Sequence, residues 1–443
     1  MDTFQTVVVT MNIRKKLSAS GLFKLVHAGL EKIGDIRADN QTISLADAMM
    51  SAFAIFSLKE PSLLAFDERR ATDGNLKRLY GIKTIPCDTQ MRTILDKVDP
   101  ESVRPLYRDV FRELQRGKVI EKLVFMEGSY LLSLDGTGYF ASNRVHCPSC
   151  LEKKSSKTGE IRYYHQLLGG AIVHPDFAEV VPFAPEAIIK QDGETKNDCE
   201  RNAAKRFLEK LRQDHPHLPL IIIEDGLSSN APHISELRKH KLHFILGVKE
   251  GDHKFLFEQI AKAHQAGQVS EFECESQGVL HRFRFINQVP LNESNLDELI
   301  NFVEYWEIKP GKTQHFSWVT DFTVTRANVF QIMRGGRARW KVENETFNTL
   351  KNQGYHFEHN FGHGDKNLSV VFAMLMMLAF LVDQAQQLAC SLFQDVLKKV
   401  GSRIRLWERM RALFLTLEFA CMEDIYRALL YGYRAQVVIL GPP

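Results

Sequence analysis

Hydrophobic positions recur at two different periods along this chain, and the change of period marks its organisation. From about Ile13 to Gln115 apolar side chains return every three or four residues, as in Leu22, Leu25, Val26 and Leu30 and again in Leu45, Ala48, Met49, Ala52 and Phe53. That is the spacing of a one-sided helix. Pro61, Pro86, Pro100 and Pro105 punctuate the region as helix starts and turns. The helix predicted over Asp88 to Leu95, with Thr89 and Arg92, is either one of a DNA-binding pair or a structural helix. From Lys122 the period shortens. Strands are predicted at Tyr130–Leu134, Tyr164–Val173, Ala178–Phe183 and Leu218–Glu224, with a helix from Asn197 to Gln213 that carries Ala203, Phe207 and Leu211 on one face. This order implies an α/β domain whose first three strands are antiparallel.

From His243 to Lys312 the pattern is that of an inserted β-rich subdomain. Strands alternate at Phe244–Val248, Glu271–Cys274, Leu280–Asn287 and Phe302–Ile308, around one helix from Lys254 to Ala266. The chain then returns to a strand, Phe316 to Val324, and to a helix that contains Glu343; from Leu368 it is helical and apolar again. The expected organisation is a helical region (1–125), the first part of a catalytic core (126–242), a β-rich insertion (243–312), the second part of the core (313–365) and a helical region (366–443). The fold class is α/β with all-α N- and C-terminal regions. The longest apolar run, Val370 to Val382, falls short of the roughly 20 residues of a membrane span, so a buried helix and no membrane are expected. Met1 to Met11, with Val7, Val8 and Val9, lacks a basic leader followed by an apolar core. A soluble, cytoplasmic protein is expected.

Composition narrows the function only through its charge and its cysteines. The 443 residues are 44% apolar and 25% charged, as in ordinary globular proteins, and 57 basic against 54 acidic side chains leave a net charge of +3. A nucleic-acid partner must then be met by local patches. Arg334, Arg337, Arg339 and Lys341 form one; Arg403, Arg405, Arg409 and Arg411 form another, which reads equally as a solvated helix face. Seven scattered cysteines in a chain of this size exclude a secreted disulfide scaffold. Cys147 and Cys150, with His146 and His165, have the spacing of a tetrahedral Zn²⁺ site, or are small buried thiols beside loop histidines.

The chemistry is carried by acids. Asp135 ends the apolar run from Tyr130 and is followed by Gly136, Thr137 and Gly138; Asp225 ends the run from Leu218 and is followed by Gly226; Glu343 lies on the later helix. Carboxylates gathered at the rim of a sheet suit Mg²⁺, which takes oxygen ligands and keeps waters for a substrate phosphate. Two such ions about 4 Å apart clamp the attacking and leaving oxygens of a phosphodiester. The glycines leave room for close approach beside the metal. On a regular helix Arg339 and Glu343 share one face, and Lys351 lies roughly 80° further around the axis. Arg339 can then hold a phosphate bidentately while Glu343 holds the ion. Asp192, Asp198 and Asp321 are further acids near the presumed rim, Asp198 as a helix N-terminal acid and Asp321 as a reserve ligand. Trp306 either stacks on an unpaired base or belongs to the core, and the segment His359 to Asp365 is either a phosphate-approaching loop or a plain helix connection.

Leu134 to Tyr139, Glu224-Asp225-Gly226 and the stretch from Arg337 to Lys351 together resemble a DDE transposase of the bacterial insertion-sequence type. The β-rich insertion before the Glu is similar to the branch with a Tyr–Arg–Glu–Lys signature. Arg339 and Glu343 match that signature, Gly336 stands at its Tyr position, and Lys351 is one residue beyond its Lys position. The resemblance implies an RNase H-like core and two Mg²⁺ or Mn²⁺ ions held by Asp135, Asp225 and Glu343. It also implies DNA contacts from Arg339, Lys351, Lys341 and Arg337, and cut-and-paste movement of an insertion sequence. The partners implied are the element's ends and target DNA, with a homodimer holding paired ends. The rival readings are a metal-dependent DNA nuclease of the same fold without strand transfer, and an inactive DNA-binding remnant.

Overall fold

The computed structural model describes residues 16–38, 41–70, 74–190 and 197–434; Val7 to Val9 and the rim acid Asp192 lie outside them. Two compact units divide the chain, Met1–Ile120 with Val145–Pro148 and Thr349–Pro443, and Glu121–Arg144 with Ser149–Asn348.

The first unit is helical. Ser18 and Ser44 cap the helices Ala19–Leu30 and Leu45–Ser57, each hydroxyl accepting a backbone N–H of the first turn, which satisfies a donor the helix itself leaves orphaned. Leu45–Ser57 and Arg104–Arg116 pack on Leu368–Ala389. That 22-residue helix is long and apolar enough to cross a membrane, but its apolar stretch is buried, all but Gln387 and Ala389 of the helix being covered, and it serves as the core of the unit. Its start is fixed from a distance: the carboxylate of Asp96 accepts the N–H groups of Asp365, Lys366, Asn367 and Leu368 at 3.0 Å. Gly364, at φ +65°, lies where a Cβ would be 2.3 Å from Asp96 Oδ1. The glycine-rich segment from His359 to Asp365 thus serves a helix cap. Asp88–Leu95 packs on Leu45–Ser57 and on the long helix, so its role within the unit is structural.

The second unit is built on one mixed sheet. Its strands are β1 (Val124–Met126), β2 (Ser129–Ser142), β3 (Leu151–Lys154), β4 (Ile161–His174), β5 (Phe177–Pro182), β6 (Glu186–Ile188), β7 (Leu220–Glu224), β8 (His243–Gly247), β9 (Ser270–Ser276), β10 (Val279–Asn292), β11 (Asn295–Lys309) and β12 (Lys312–Thr320). The order is β3-β4-β2-β7-β8-β12-β11-β10-β9. Strands β2, β7 and β8 are parallel; β4 joins β2, and β12 joins β8, antiparallel. Every residue of β7 is buried, as expected of a parallel strand covered on both faces. The Glu200–Asp214 helix covers one face with Ala203, Phe207 and Leu211, the predicted positions, together with Ala204 and Leu208.

Two expectations change here. His243–Gly247, assigned by periodicity to the insertion, is the third parallel strand of the core, because its Phe-Ile-Leu run is buried between β7 and β12. The β-rich stretch after it continues the same sheet as a meander of β9 to β12. In addition, residues 349–365, expected in the core, group with the helical unit.

One buried charge pair sits in the helical unit. Lys59 Nζ forms an ion pair with Asp383 and donates to Ser57 O at 2.9 Å, while lying 3.9 Å from the Trp407 ring centroid. Tyr355 Oη donates to the same carboxylate at 2.6 Å. Removing one partner of such a pair leaves the other charge stranded. Lys59→Met is therefore expected to cost about 3–5 kcal/mol in urea unfolding, with most of it recovered in the double variant carrying Asp383→Leu; an unchanged midpoint in the single variant would contradict this.

Candidate active site

Two acids lie side by side where the parallel ladder of β2 and β7 stops; β7 ends at Glu224, while β2, against the strand end expected at Leu134, continues to Ser142 along β4. Strands β2 and β7 run in register from Tyr130 opposite Leu220 to Ser133 opposite Ile223. Asp135 and Asp225 each lie two residues past the last pair, and Asp225 is still extended at φ −82°, ψ −178°. Because side chains alternate with period two, both acids share the face of Ser133, on strands about 4.8 Å apart.

On that face the sheet meets the segment that carries Glu343. A Cβ on Gly335 would fall 2.9 Å from Ile245 Cδ1, and one on Gly336 2.3 Å from Trp318 Nε1. Bare helix backbone thus lies directly on β8 and β12. Each glycine also weakens a helix by about 1 kcal/mol relative to Ala. The α-helix Val329–Arg337 stops there, and Val342–Phe347 resumes as a π-helix, a form found frequently at functional sites. The regular helix expected through Arg339 and Glu343 is therefore broken, and Arg339 lies in the intervening turn. Ser133 Oγ donates to Arg339 O at 3.0 Å. The Phe347 ring fills the place of the missing side chain at Gly169, 2.8 Å from an added Cβ, and Gly169 is the β4 partner of Asp135. These contacts hold the Glu343 segment against the strand that bears Asp135.

The electrostatics place Asp135 within reach of the charges of both Asp225 and Glu343. Burial raises the pKa of Asp135 above the ordinary value; the Arg339 guanidinium, 3.3 Å away, opposes this, and the charges of Asp225 and Glu343 add to the rise. Arg339 also stacks over the Trp340 ring at 4.4 Å. Asp225 accepts the N–H of Leu227 at 3.0 Å. Its neighbour Glu224 is buried, bonded to His233 Nε2 at 2.6 Å and to Ser228 Oγ at 3.1 Å, which pins the turn.

A fourth acid, which the sequence reading did not single out, joins them. Glu200, in the first turn of its helix, has its pKa raised by burial and then by the charges of Asp135 and Asp225. Gln166 Nε2 donates to its Oε1 at 2.6 Å. With Asp135 and Asp225 it lines a cavity of about 730 Å³ that Lys205, Asn230 and His233 also border. Only the glycine after Asp135 hinted at it: a Cβ on Gly136 would meet Glu200 Oε1 at 2.2 Å. Gly226 clears no comparable space, since a Cβ there meets nothing nearer than Gly247 O at 3.6 Å.

The family model for the transposase DDE domain matches residues 152–381, just over half of the chain. The chain belongs to this family. No curated protein matches it. Asp225 and Glu343 fall within the matched stretch, and Asp135 precedes it. The transposase thus acts on DNA by phosphoryl transfer, and divalent metals belong to the chemistry of its family. The residues present fit such an ion: the donor set of Asp135, Asp225 and Glu343 is all oxygen, as hard cations require, and Arg339 is the one cation paired with Asp135 among the described residues.

Other expected site residues have different surroundings. Arg337 is paired with Glu307 and stacked on Phe316 at 4.9 Å. Burial works against the charge on Glu307, but hydrogen bonds from Lys309 and Arg337 hold its pKa down at about 2. Lys341 Nζ donates to Phe177 O at 2.6 Å. Both bases, expected to face DNA, are thus engaged with the protein, because the helix break turns them toward the sheet. Lys351 belongs to the helical unit, where its Nζ is 3.1 Å from Glu358. Arg403 and Arg411 are bonded inside that unit, to Gln387 and to Lys59 O, while Arg405 and Arg409 are exposed. Asp198 is paired with Arg206 at 2.7 Å. Asp321 bonds His243 and Phe244 N, at the opposite end of β8 from Asp225. Trp306 stacks on His315 at 4.9 Å within the sheet unit. Of the Zn²⁺ candidates, Cys150 Sγ and His165 Nε2 are 3.5 Å apart in this unit; His146 is exposed and Cys147 buried.

The Trp318 indole already occupies the volume that a side chain at position 336 would need. Gly336→Tyr is expected to destabilise the protein by about 1–3 kcal/mol in thermal or urea unfolding, and the added change Trp318→Ala to return part of that loss. Full stability of the single variant would contradict the packing.

Proposed function

We propose that this chain is a cut-and-paste DNA transposase with an RNase H-like core, in which Asp135, Asp225 and Glu343 hold two Mg²⁺ or Mn²⁺ ions. The observation that supports this most strongly is the parallel register of β2 and β7, which brings Asp135 and Asp225 alongside each other just past the last pair of their ladder, within a chain of the transposase DDE family. Bound divalent ions supply the charge that activates the attacking oxygen and stabilises the leaving 3′-oxygen. The protein's own share is positioning and charge placement. Asp135 lies within β2 and Asp225 just past β7, and the segment of Glu343 is held against β2 and β4 by the Arg339–Ser133 and Phe347–Gly169 contacts. Arg339 is paired with Asp135, and its planar guanidinium could grip a substrate phosphate bidentately beside the acids. Arg339 and Glu343 are the part of the Tyr–Arg–Glu–Lys signature that supports that branch. Lys351, paired with an exposed glutamate, is the other base assigned to DNA. The protein works as a homodimer on paired DNA ends, in the cytoplasm.

The test uses the full chain, DNA bearing the terminal repeats of its own element, target DNA and Mn²⁺. Wild type is expected to cut the ends and join them to target. Asp225→Asn is expected to lose both activities, by on the order of 10²-fold or more, while unfolding at the same temperature as wild type or higher because a crowded like charge is gone. Cleavage without joining would mark a nuclease, and an active Asp225→Asn variant would overturn the reading.

A further inference from the structure

Acids near the rim of this sheet fall into two groups by their partners. Asp198 is matched by Arg206 and Asn202, Glu224 by His233, and Asp321 by His243. Glu200 has no such match: among the described residues no Lys, Arg or His pairs with it, and the amide of Gln166 is its single hydrogen-bond partner. Yet the chain makes room for it at a specific place. Strand β2 alternates, so Asp135 faces the Glu343 segment while Gly136 faces the Glu200–Asp214 helix. The Glu200 carboxyl lies in the volume a side chain at 136 would fill, with Oε1 2.2 Å and Cδ 2.4 Å from an added Cβ. Any residue but glycine next to Asp135 would expel it. Gln166, on β4 beside β2, turns the same carboxyl toward the rim, and it shares one cavity with Asp135 and Asp225.

We propose that Glu200 is a fourth carboxylate of the cation site, reaching the ion shared by Asp135 and Asp225 from the opposite face of the sheet through the gap left by Gly136. The inference rests on the reading of Asp135 and Asp225 as metal ligands. A half-buried carboxylate without a cation of its own gains from a divalent ion beside it what its neighbours obtain from Arg or His. Gln166 fixes its orientation, as outer hydrogen bonds to ligating carboxylates commonly do.

The experiment titrates Mn²⁺ into the full-length chain without DNA, following free ion by electron paramagnetic resonance. Glu200→Gln keeps the size and the acceptor for Gln166 but removes the charge. It is expected to weaken the tightest Mn²⁺ site about tenfold or more, with metal-free thermal unfolding no lower than wild type. Gly136→Ala keeps every carboxylate and displaces Glu200, and is expected to weaken Mn²⁺ in the same direction; it decides the matter should Glu200→Gln fail to fold. Wild-type affinity in either folded variant, with Asp225→Asn losing the ion, overturns the role of Glu200 and leaves the reading of the other acids standing. Absence of Mn²⁺ binding in wild type at millimolar ion overturns both.

Discussion

The pairing of β2 with β7 governs everything at the site. Four ladder positions, from Tyr130 opposite Leu220 to Ser133 opposite Ile223, decide which side chains meet just past the end of the ladder. A slip of one residue would turn Asp135 to the other face and bring Leu134 or Gly136 alongside Asp225. What prevents the slip is burial on both faces: Leu131, Leu132, Leu220, Ile221, Ile222 and Ile223 are each no more than 1% exposed. Each such side chain contributes about 1.5–3 kcal/mol through removal from water, and the whole set would be misplaced together. The geometry of the acids is therefore set by the hydrophobic core beneath them.

Above that core the site concentrates negative charge that the protein does not fully balance. The charges of Asp225 and Glu343 act on Asp135, those of Asp135 and Asp225 act on Glu200, and the Arg339 guanidinium is the cation paired with Asp135 among the described residues. Like charges at this spacing raise the cost of ionisation. A fold that retains them at a rim, each fixed by strand register, a π-helical turn or a glycine gap, is prepared for an external cation. The same logic separates these acids from Glu307 and Glu304, which are held ionised by Arg337, Lys309, Arg284 and His315 and serve the sheet.

Much of this was legible in the residues. The apolar run that stops at Asp225 marked the end of β7, and the Ala203–Phe207–Leu211 face marked the covering helix; the run that stops at Asp135 did not end β2, which continues to Ser142 along β4. Periodicity could not separate β8 from the insertion, since a five-residue buried strand looks alike in either setting. The break after Arg337 was missed because Gly336 was weighed as a signature position and not together with Gly335 as a pair that flattens a helix onto Ile245 and Trp318. With the helix broken, the faces assigned to Arg337 and Lys341 changed, and both found partners in the sheet. Glu200 carries no local mark at all. Its place depends on a helix that packs on β4 and β6 and brings Glu200 to Gly136, sixty-four positions earlier in the chain, a long-range contact that no spacing rule encodes.

The most direct measurement of the central claim is anomalous diffraction from crystals of the full chain grown or soaked with Mn²⁺. The account expects an anomalous peak in contact with carboxylate oxygens of both Asp135 and Asp225, with Glu343 at the same centre. Peaks confined to other acids, or carboxylates of 135 and 225 facing apart with no ion between them, would contradict it.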